Sequence, residues 1–544
     1  MRIKLILLFS LISSFAFGQH LISKHFYKSF SHAQIDSAYA SFGLPTFLLP
    51  NNYEVDVYHL LYNTVMPDSV TPTVASGLFI VPKNKSCAST ILSYQHGTQM
   101  TKAEAPSKRG GMEWIIGLAM GADGYVAVLP DYIGLGYDVV NRHPYQHARS
   151  EATATIDMIR ASREACADLN VDLNGQVLLA GYSQGGHATM AAHKMIQHSF
   201  PNEFNIGGSV PMSGPYSMSG VMKDVILQTT PYPAPYYLPY VLLSFQDIYQ
   251  PYNSVDDFLK TPYNTTLPPL YDGYNGAGAV NSIMPTVPRN IIKDELIDSV
   301  QVDSNHIFNQ ILKDNDVYKW VPIKPVHMLY CGSDTYVPKE NAFVAYNYMN
   351  SFGAPVAITN VSDDYEHTPC AQIAMIFMKN IIDTLRSDKI SGRFSEVKPS
   401  AGMANGSLTI HVLGVEPPYS ILWSTGDTTA TISNIPEGAY NVTISSPNAC
   451  NSFTSAWFLN PVDVSSIESI EDVKFSLYPN PGNGIIQIDS KVKIEKVDVY
   501  TITGKRIFMN EYKAQNVSID LSAYNSGIYY VVVNNQFPLR YLKQ

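Results

Sequence analysis

Charge is scarce in this 544-residue chain: Asp, Glu, Lys and Arg together make up 15% of it, and the formal net charge is −10. No long run of Lys or Arg occurs, so the chain lacks the electrostatic footprint of a nucleic-acid or anionic-membrane binder. Cysteine is sparse too. Cys87, Cys166, Cys331, Cys370 and Cys450 form no Cys-x-x-Cys pair, which removes the signature of a cysteine zinc site or a redox dithiol. An exported chain is free to form disulfides. The four cysteines ahead of residue 387 still allow roughly three pairings among themselves, and the sequence selects none. Beyond the N-terminus no apolar run is long enough to span a bilayer, so no membrane-spanning segment is expected and the mature chain reads as soluble.

The N-terminus is different. Met1-Arg2-Ile3-Lys4 is basic, Leu5 to Phe17 is almost wholly apolar, and Ala16-Phe17-Gly18 supplies a small-x-small cleavage site before Gln19. Residues 1–18 therefore read as a secretory signal peptide. Hydrophobic residues make up 45% of the chain, enough for real cores, and its length calls for roughly two to four domains.

Residues 19–387 alternate short apolar runs with helical patterns, the sequence form of an α/β fold. Strands are expected at Ser76–Val81, Thr90–Tyr94, Tyr125–Leu129, Gln176–Ala180, Gly207–Met212, Val326–Cys331 and Val356–Val361. Several are continuously apolar, as parallel strands covered on both faces must be. Ser150 to Cys166 reads as a helix capped by Ser150. Between about residues 214 and 320 the alternation breaks into a Tyr- and Pro-rich stretch, too long for a plain loop. It is expected to be an inserted cap over the carboxyl ends of the strands. Residues 393–460 show two-residue alternation, with Tyr440, Val442 and Ile444 on one face, and predict a small all-β sandwich.

The most informative segment is Val177-Leu178-Leu179-Ala180-Gly181-Tyr182-Ser183-Gln184-Gly185-Gly186-His187. A strand runs into a Gly-x-Ser-x-Gly turn and then into a helix, the arrangement that lifts a nucleophilic serine above a sheet edge. Such a serine needs a base and an acid that orients the base. Asp334 follows the strand ending at Cys331, and His367 follows the next strand, giving the chain order Ser183, Asp334, His367. Asp363, Asp364 and Glu366 are rival acids, but they lie so near His367 in sequence that convergence on its ring is less natural. His143 and His147 have an i, i+4 spacing, yet Pro144 argues against a helix and no third ligand is apparent, so no metal is expected. His187 reads as structural. The oxyanion donors are expected to be the backbone N–H groups of Gln184 and of Thr98, in the loop Gln95-His96-Gly97-Thr98.

Gly181-Tyr182-Ser183-Gln184-Gly185-Gly186, His96-Gly97-Thr98, Pro130-Asp131-Tyr132-Ile133-Gly134-Leu135-Gly136 and His143-Pro144-Tyr145 resemble the secretory lipase family of α/β-hydrolases, with Ser213-Gly214-Pro215-Tyr216 and Asn315-Asp316-Val317-Tyr318 fitting as well. The resemblance implies a cofactor-free Ser-Asp-His carboxylic ester hydrolase with a cap over an acyl pocket. The Tyr-, Pro- and Leu-rich cap points to apolar acyl esters, hence a lipase. Two alternatives stand beside it. One is a serine peptidase of the prolyl-oligopeptidase type, with Asp256-Asp257 able to hold a peptide amino terminus; the other is a non-catalytic surface adhesin. Residues 393–460 resemble PKD-like adhesin repeats, through Pro417-Pro418-Tyr419, Trp423-Ser424-Thr425-Gly426 and Asn448-Ala449-Cys450. Residues 473–544 look like the C-terminal sorting domain of the type IX secretion system, through Leu477-Tyr478-Pro479-Asn480-Pro481-Gly482-Asn483-Gly484, Val499 to Lys505 and Ser526 to Val533. That resemblance implies type IX secretion machinery as a partner and a secreted or cell-surface location reached through the periplasm.

Overall fold

The computed structural model describes residues 19–543 apart from 45, 47–48, 139–141, 416, 448, 451, 462–474, 481, 502–505 and 535–538. The expected signal peptide, residues 1–18, and the tail of the motif Val499 to Lys505 lie outside the described residues.

Nine strands form the main sheet: β1 (Leu21–Phe30), β2 (Val55–Val65), β3 (Pro72–Pro82), β4 (Ser89–Gln95), β5 (Val126–Pro130), β6 (Leu173–Tyr182), β7 (Asn205–Met212), β8 (Val326–Cys331) and β9 (Val356–Ser362). Their order is β1-β2-β3-β5-β4-β6-β7-β8-β9. From β5 through β9 all pairings are parallel, whereas β1, β2 and β3 add antiparallel strands at one edge. The parallel strands bury both faces. In β6, Val177 and Leu179 pack with the helices Ala148–Asp168 and Gln184–Ser199, while Leu178 and Ala180 pack with Glu113–Ala122 and His367–Leu385. This is the α/β architecture that the apolar runs predict, in the α/β-hydrolase form that the resemblance implies.

The chain leaves β4 toward β5 on one side and returns to β6 on the other. Such a reversal opens a crevice outside the carboxyl ends of the strands, where α/β folds bind ligands. Both β4 and β6 end there, in the His96-Gly97-Thr98 loop and at Ser183.

Between β7 and β8 the inserted segment folds into helices, including Lys223–Leu227, Tyr237–Tyr249, Asp294–Val302 and Ile307–Asp314. Leu242, Phe245, Phe258, Ile291 and Leu312 give it a core of its own. Tyr240 Oη donates to the Gln99 carbonyl at 3.2 Å and Ser244 Oγ to the Tyr145 carbonyl at 3.2 Å, so the insertion is tied to the loops above the sheet.

Past the last helix the chain does not loosen. Arg386, Asp388 and Ile390 are buried. Asp388 accepts from Lys85 Nζ at 2.7 Å and from Arg386 Nε at 2.6 Å. Burial opposes its charge, but these two cations hold its carboxyl below the ordinary range. Two three-stranded antiparallel sheets follow, Ser391–Val397 with Gly406–Leu413 and Thr431–Ile435, and Ser420–Trp423 with Gly438–Ser445 and Phe453–Leu459. Trp423, Ile410, Val442 and Ile444 lie between them. These sheets belong to the same compact unit as the nine-stranded sheet, and the disulfide Cys87–Cys450 joins them to the turn before β4.

A second compact unit comprises residues 398–405 and 460–544. Its five-stranded antiparallel sheet runs from Ser476–Tyr478 to Leu539–Lys543 and buries Ile486, Val499, Val531 and Tyr541.

Candidate active site

The turn after β6 is as tight as the sequence requires. Ser183 has φ 60° and ψ −121°, a conformation rarely adopted by a non-glycine residue and one associated with functional strain. A Cβ on Gly185 would meet the Gln95 carbonyl oxygen, and one on Gly181 the Gly185 carbonyl oxygen. Both positions are therefore restricted to glycine by the close approach of β4 and the helix.

The three residues expected from the sequence converge. Ser183 Oγ lies 2.8 Å from His367 Nε2, and His367 Nδ1 lies 2.7 Å from Asp334 Oδ2. All three are buried, with exposures of 7%, 4% and 6% for Ser183, His367 and Asp334. The other carboxylate oxygen of Asp334 accepts from the backbone N–H groups of Tyr336 at 3.0 Å and Val337 at 2.9 Å. His367 is held as well: Tyr182 Oη donates to its carbonyl at 2.6 Å. The rings of Tyr182 and Tyr336 lie 5.1 and 5.3 Å from its imidazole.

Two of the rival acids are engaged elsewhere. Glu366 accepts from Thr335 N and Thr335 Oγ1, and Asp363 accepts from Asn360 Nδ2 and, through its carbonyl, from Ser333 Oγ. The disulfide Cys331–Cys370 ties the end of β8, ahead of Asp334, to the first turn of the His367 helix.

Gln184 and Thr98 lie on the two segments that meet at Ser183; a Cβ on Gly97 would sit 3.7 Å from Ser183 Cβ. Gly97 N–H is already committed to Glu113 Oε1 at 2.6 Å. Among the described residues the N–H groups of Gln184 and Thr98 meet no protein acceptor. Thr98 Oγ1 shares a hydrogen bond with Tyr145 Oη at 2.8 Å.

Behind the turn lies a buried network that the sequence does not announce. Gln184 Nε2 reaches Glu151 Oε1 at 2.9 Å and His143 Nε2 at 2.7 Å, and His187 Nδ1 reaches Glu151 Oε2 at 2.6 Å. Burial pushes His143 down to about 3. Its Nδ1 faces the Ile133 carbonyl, which assigns the proton to Nδ1 and leaves Nε2 to accept from Gln184. His147 instead caps the helix Ala148–Asp168, accepting from Ser150 N. That helix thus begins ahead of Ser150, whose hydroxyl donates to the His147 carbonyl instead of acting as the cap. Asp256 and Asp257 are bound locally, to Asn264 Nδ2 and to the Asn253 and Ser254 N–H groups.

Ser183 opens into a cleft whose wall comes largely from the insertion: Met218, Met222, Val225, Ile226, Leu238 and Val241, with Tyr145, Tyr232 and Tyr237. An elbow serine, a histidine and an acid aligned beneath an apolar cleft are the parts of an acyl-transfer site.

A family model described as secretory lipase matches residues 101–374, half of the chain. The chain belongs to the secretory lipase family. A second model, the secretion system C-terminal sorting domain, matches residues 476–538. No curated protein matches the sequence. Among solved structures, the secretory lipase is similar to a candidate hydrolase from Legionella pneumophila, with 29% identity and a TM-score of 0.63 over 68% of this chain and 98% of the other. It is also similar to the ligand-bound rice cell wall degrading esterase LipA from Xanthomonas oryzae, with 25% identity and a TM-score of 0.58 over 67% of this chain and 96% of that one. Candida antarctica lipase A in its closed state shares the fold at 20% identity and a TM-score of 0.52, over 69% of this chain and 84% of the other. This secretory lipase is a carboxylic ester hydrolase, and its type IX sorting domain marks it as exported, secreted or held at the cell surface. Among the described residues no helix is long and apolar enough to cross a membrane.

Proposed function

We propose that this secretory lipase hydrolyses esters of apolar acyl groups by a two-step serine mechanism. The observation that carries the reading is the unbroken hydrogen-bond chain from Ser183 through His367 to Asp334 at the foot of an apolar cleft. His367 Nε2 accepts the Ser183 proton as Oγ attacks the ester carbonyl carbon. Asp334 orients the ring through Nδ1 and stabilises the imidazolium that forms. The N–H groups of Gln184 and Thr98 receive the negative charge that develops on the carbonyl oxygen; one such donor is typically worth about 3 kcal/mol in the transition state. His367 then protonates the departing alkoxide, and water activated by the same nitrogen releases the acid from Ser183.

The acyl preference rests on the thioether and aliphatic side chains of Met218, Met222, Val225, Ile226 and Leu238 along the cleft. Burying each methylene of an acyl chain there is worth about 0.8 kcal/mol. The family membership and the likeness to an esterase support the same reaction class.

The full exported chain and its Ser183→Ala variant, assayed on 4-nitrophenyl esters of rising acyl length, test both parts. Turnover should fall by about a thousandfold or more in the variant, and butyrate and longer chains should exceed acetate in kcat/KM. Undiminished turnover in the variant would remove the serine mechanism; a preference for acetate would remove the apolar acyl specificity.

A further inference from the structure

Tyr336 lies where the acid, the base and the inserted cap segment meet. Its ring stacks on the imidazole of His367, with centroids 5.3 Å apart and planes inclined by 19°. Its backbone N–H donates to Asp334 Oδ1 at 3.0 Å. Its carbonyl accepts from Tyr232 Oη at 2.9 Å, and Tyr232 belongs to the wall of the acyl cleft. That carbonyl shares a peptide group with the N–H of Val337, which donates to Asp334 Oδ1 at 2.9 Å. The cap hydroxyl therefore polarises the peptide that holds the acid, and hydrogen bonds linked through one peptide strengthen one another.

We propose that Tyr336 is a positioning residue that couples the cap to the Asp334–His367 pair, through its ring on the base and through its peptide on the acid. The proposal rests on the Ser183–His367–Asp334 reading. The ring acts in two ways. It blocks rotation of the imidazole, which would swing Nε2 away from Ser183, and its π face favours the imidazolium formed during each proton transfer. The other groups facing His367 are Asp334, Ser183 and Tyr182, and Glu366 precedes it in the chain while bound to Thr335. Tyr336 meets all three directly, the acid and the cap by hydrogen bonds through its backbone and the base through its ring. Tyr232 acts on the acid from the cap side, so seating of the cap and alignment of the base are linked.

The test uses the full exported chain with Tyr336→Leu, Tyr336→Phe and Tyr232→Phe, beside Ser183→Ala, each checked by circular dichroism for a native melt. Tyr336→Leu keeps an apolar cover without a π face. It should lower kcat roughly five- to thirtyfold with KM within about twofold, and should move the acidic limb of the kcat/KM profile to lower pH. Tyr336→Phe retains the ring and should restore kcat to within about twofold of the native value. Tyr232→Phe should lower kcat about threefold while leaving KM nearly unchanged. Wild-type kcat and pH profile in the Leu variant would overturn the proposal. So would a Phe variant as impaired as the Leu variant, or a Tyr232→Phe effect confined to KM. Tyr336→Met carries the same comparison should the Leu variant not fold. Activity surviving in Ser183→Ala would instead remove the underlying catalytic reading.

Discussion

At the scale of single residues, burial and not sequence position separates the histidines of this protein. His143 and His193 are both pushed down to about 3, chiefly by removal from water. In the unfolded chain each would titrate near 6.5. Between those values the unfolded state binds the protons and the folded state does not, so stability rises with pH across that window and is lost as pH falls below about 6.5. Each histidine should cost roughly 2 kcal/mol by pH 5. Urea unfolding midpoints followed from pH 7 to 5 should decline steadily. His193→Gln should flatten that decline, since His193 bonds Ser209 Oγ alone at 2.8 Å among the described residues. An unchanged slope in the variant would contradict a buried neutral His193. The residue scale also shows what lay open in the sequence. Ser183, Asp334 and His367 could be picked because a nucleophile elbow and two strand-end loops leave a pattern in chain order. Tyr336, Tyr182 and the Glu151 network could not, because ring stacking and buried hydrogen bonds between distant segments leave no periodic or spaced signal.

At the scale of elements, β8 and β9 and the helix His367–Leu385 carry both acid and base near one edge of the sheet. That edge is stitched by Cys331–Cys370, by Ser333 Oγ donating to the Asp363 carbonyl at 2.6 Å, and by Thr335 Oγ1 donating to Glu366 at 2.8 Å. The disulfide closes a loop with a sequence separation of 39, for which chain entropy gives about 4 kcal/mol. The paired substitution Cys331→Ala with Cys370→Ala should lower the melting temperature and reduce kcat more than it raises KM, because it frees the acid loop from the base helix. Thermal melts and steady-state kinetics on the same preparation would read both; an unaltered kcat would confine the bridge to stability. Its partners could not be read from the chain, where the cysteines ahead of residue 387 had several pairings open. The parallel strands were legible as continuous apolar runs: Val326–Cys331 has the expected bounds, the strand expected at Tyr125–Leu129 is shifted by one residue, and the others reach slightly further. The antiparallel pair β1 and β2 was not. β1 buries Leu21 and Phe30 at its ends and exposes most of the residues between, including Phe26 and Tyr27, so it offers neither an apolar run nor a clean alternation.

At the scale of the whole molecule, the junction after residue 387 decides what can be separated from what. A chain ending at Ser387 would leave Lys85 and Arg386 without Asp388, and Cys87 without Cys450. Removing one partner of a buried ion pair costs about 3–5 kcal/mol. A fragment of residues 19–387 should therefore melt well below one extended to residue 461, or fail to accumulate as soluble protein. Equal melting temperatures would make the β-sheets after residue 391 dispensable appendages. The composition shift toward Ser, Thr, Asn and Gly was visible in the sequence, but the ion cluster was not, since Lys85 and Asp388 are separated by 303 residues. The bridge between Cys87 and Cys450 has one more consequence. Tyr274, 70% exposed at a turn of the insertion, offers a chymotrypsin-like protease a site between Ser183 and Asp334. A cut there would put the nucleophile on one polypeptide and the acid and base on another, with Cys87 on the first and Cys450 on the second. The nicked protein would run as a single band until reductant divided it, a two-chain enzyme whose halves share one covalent tether.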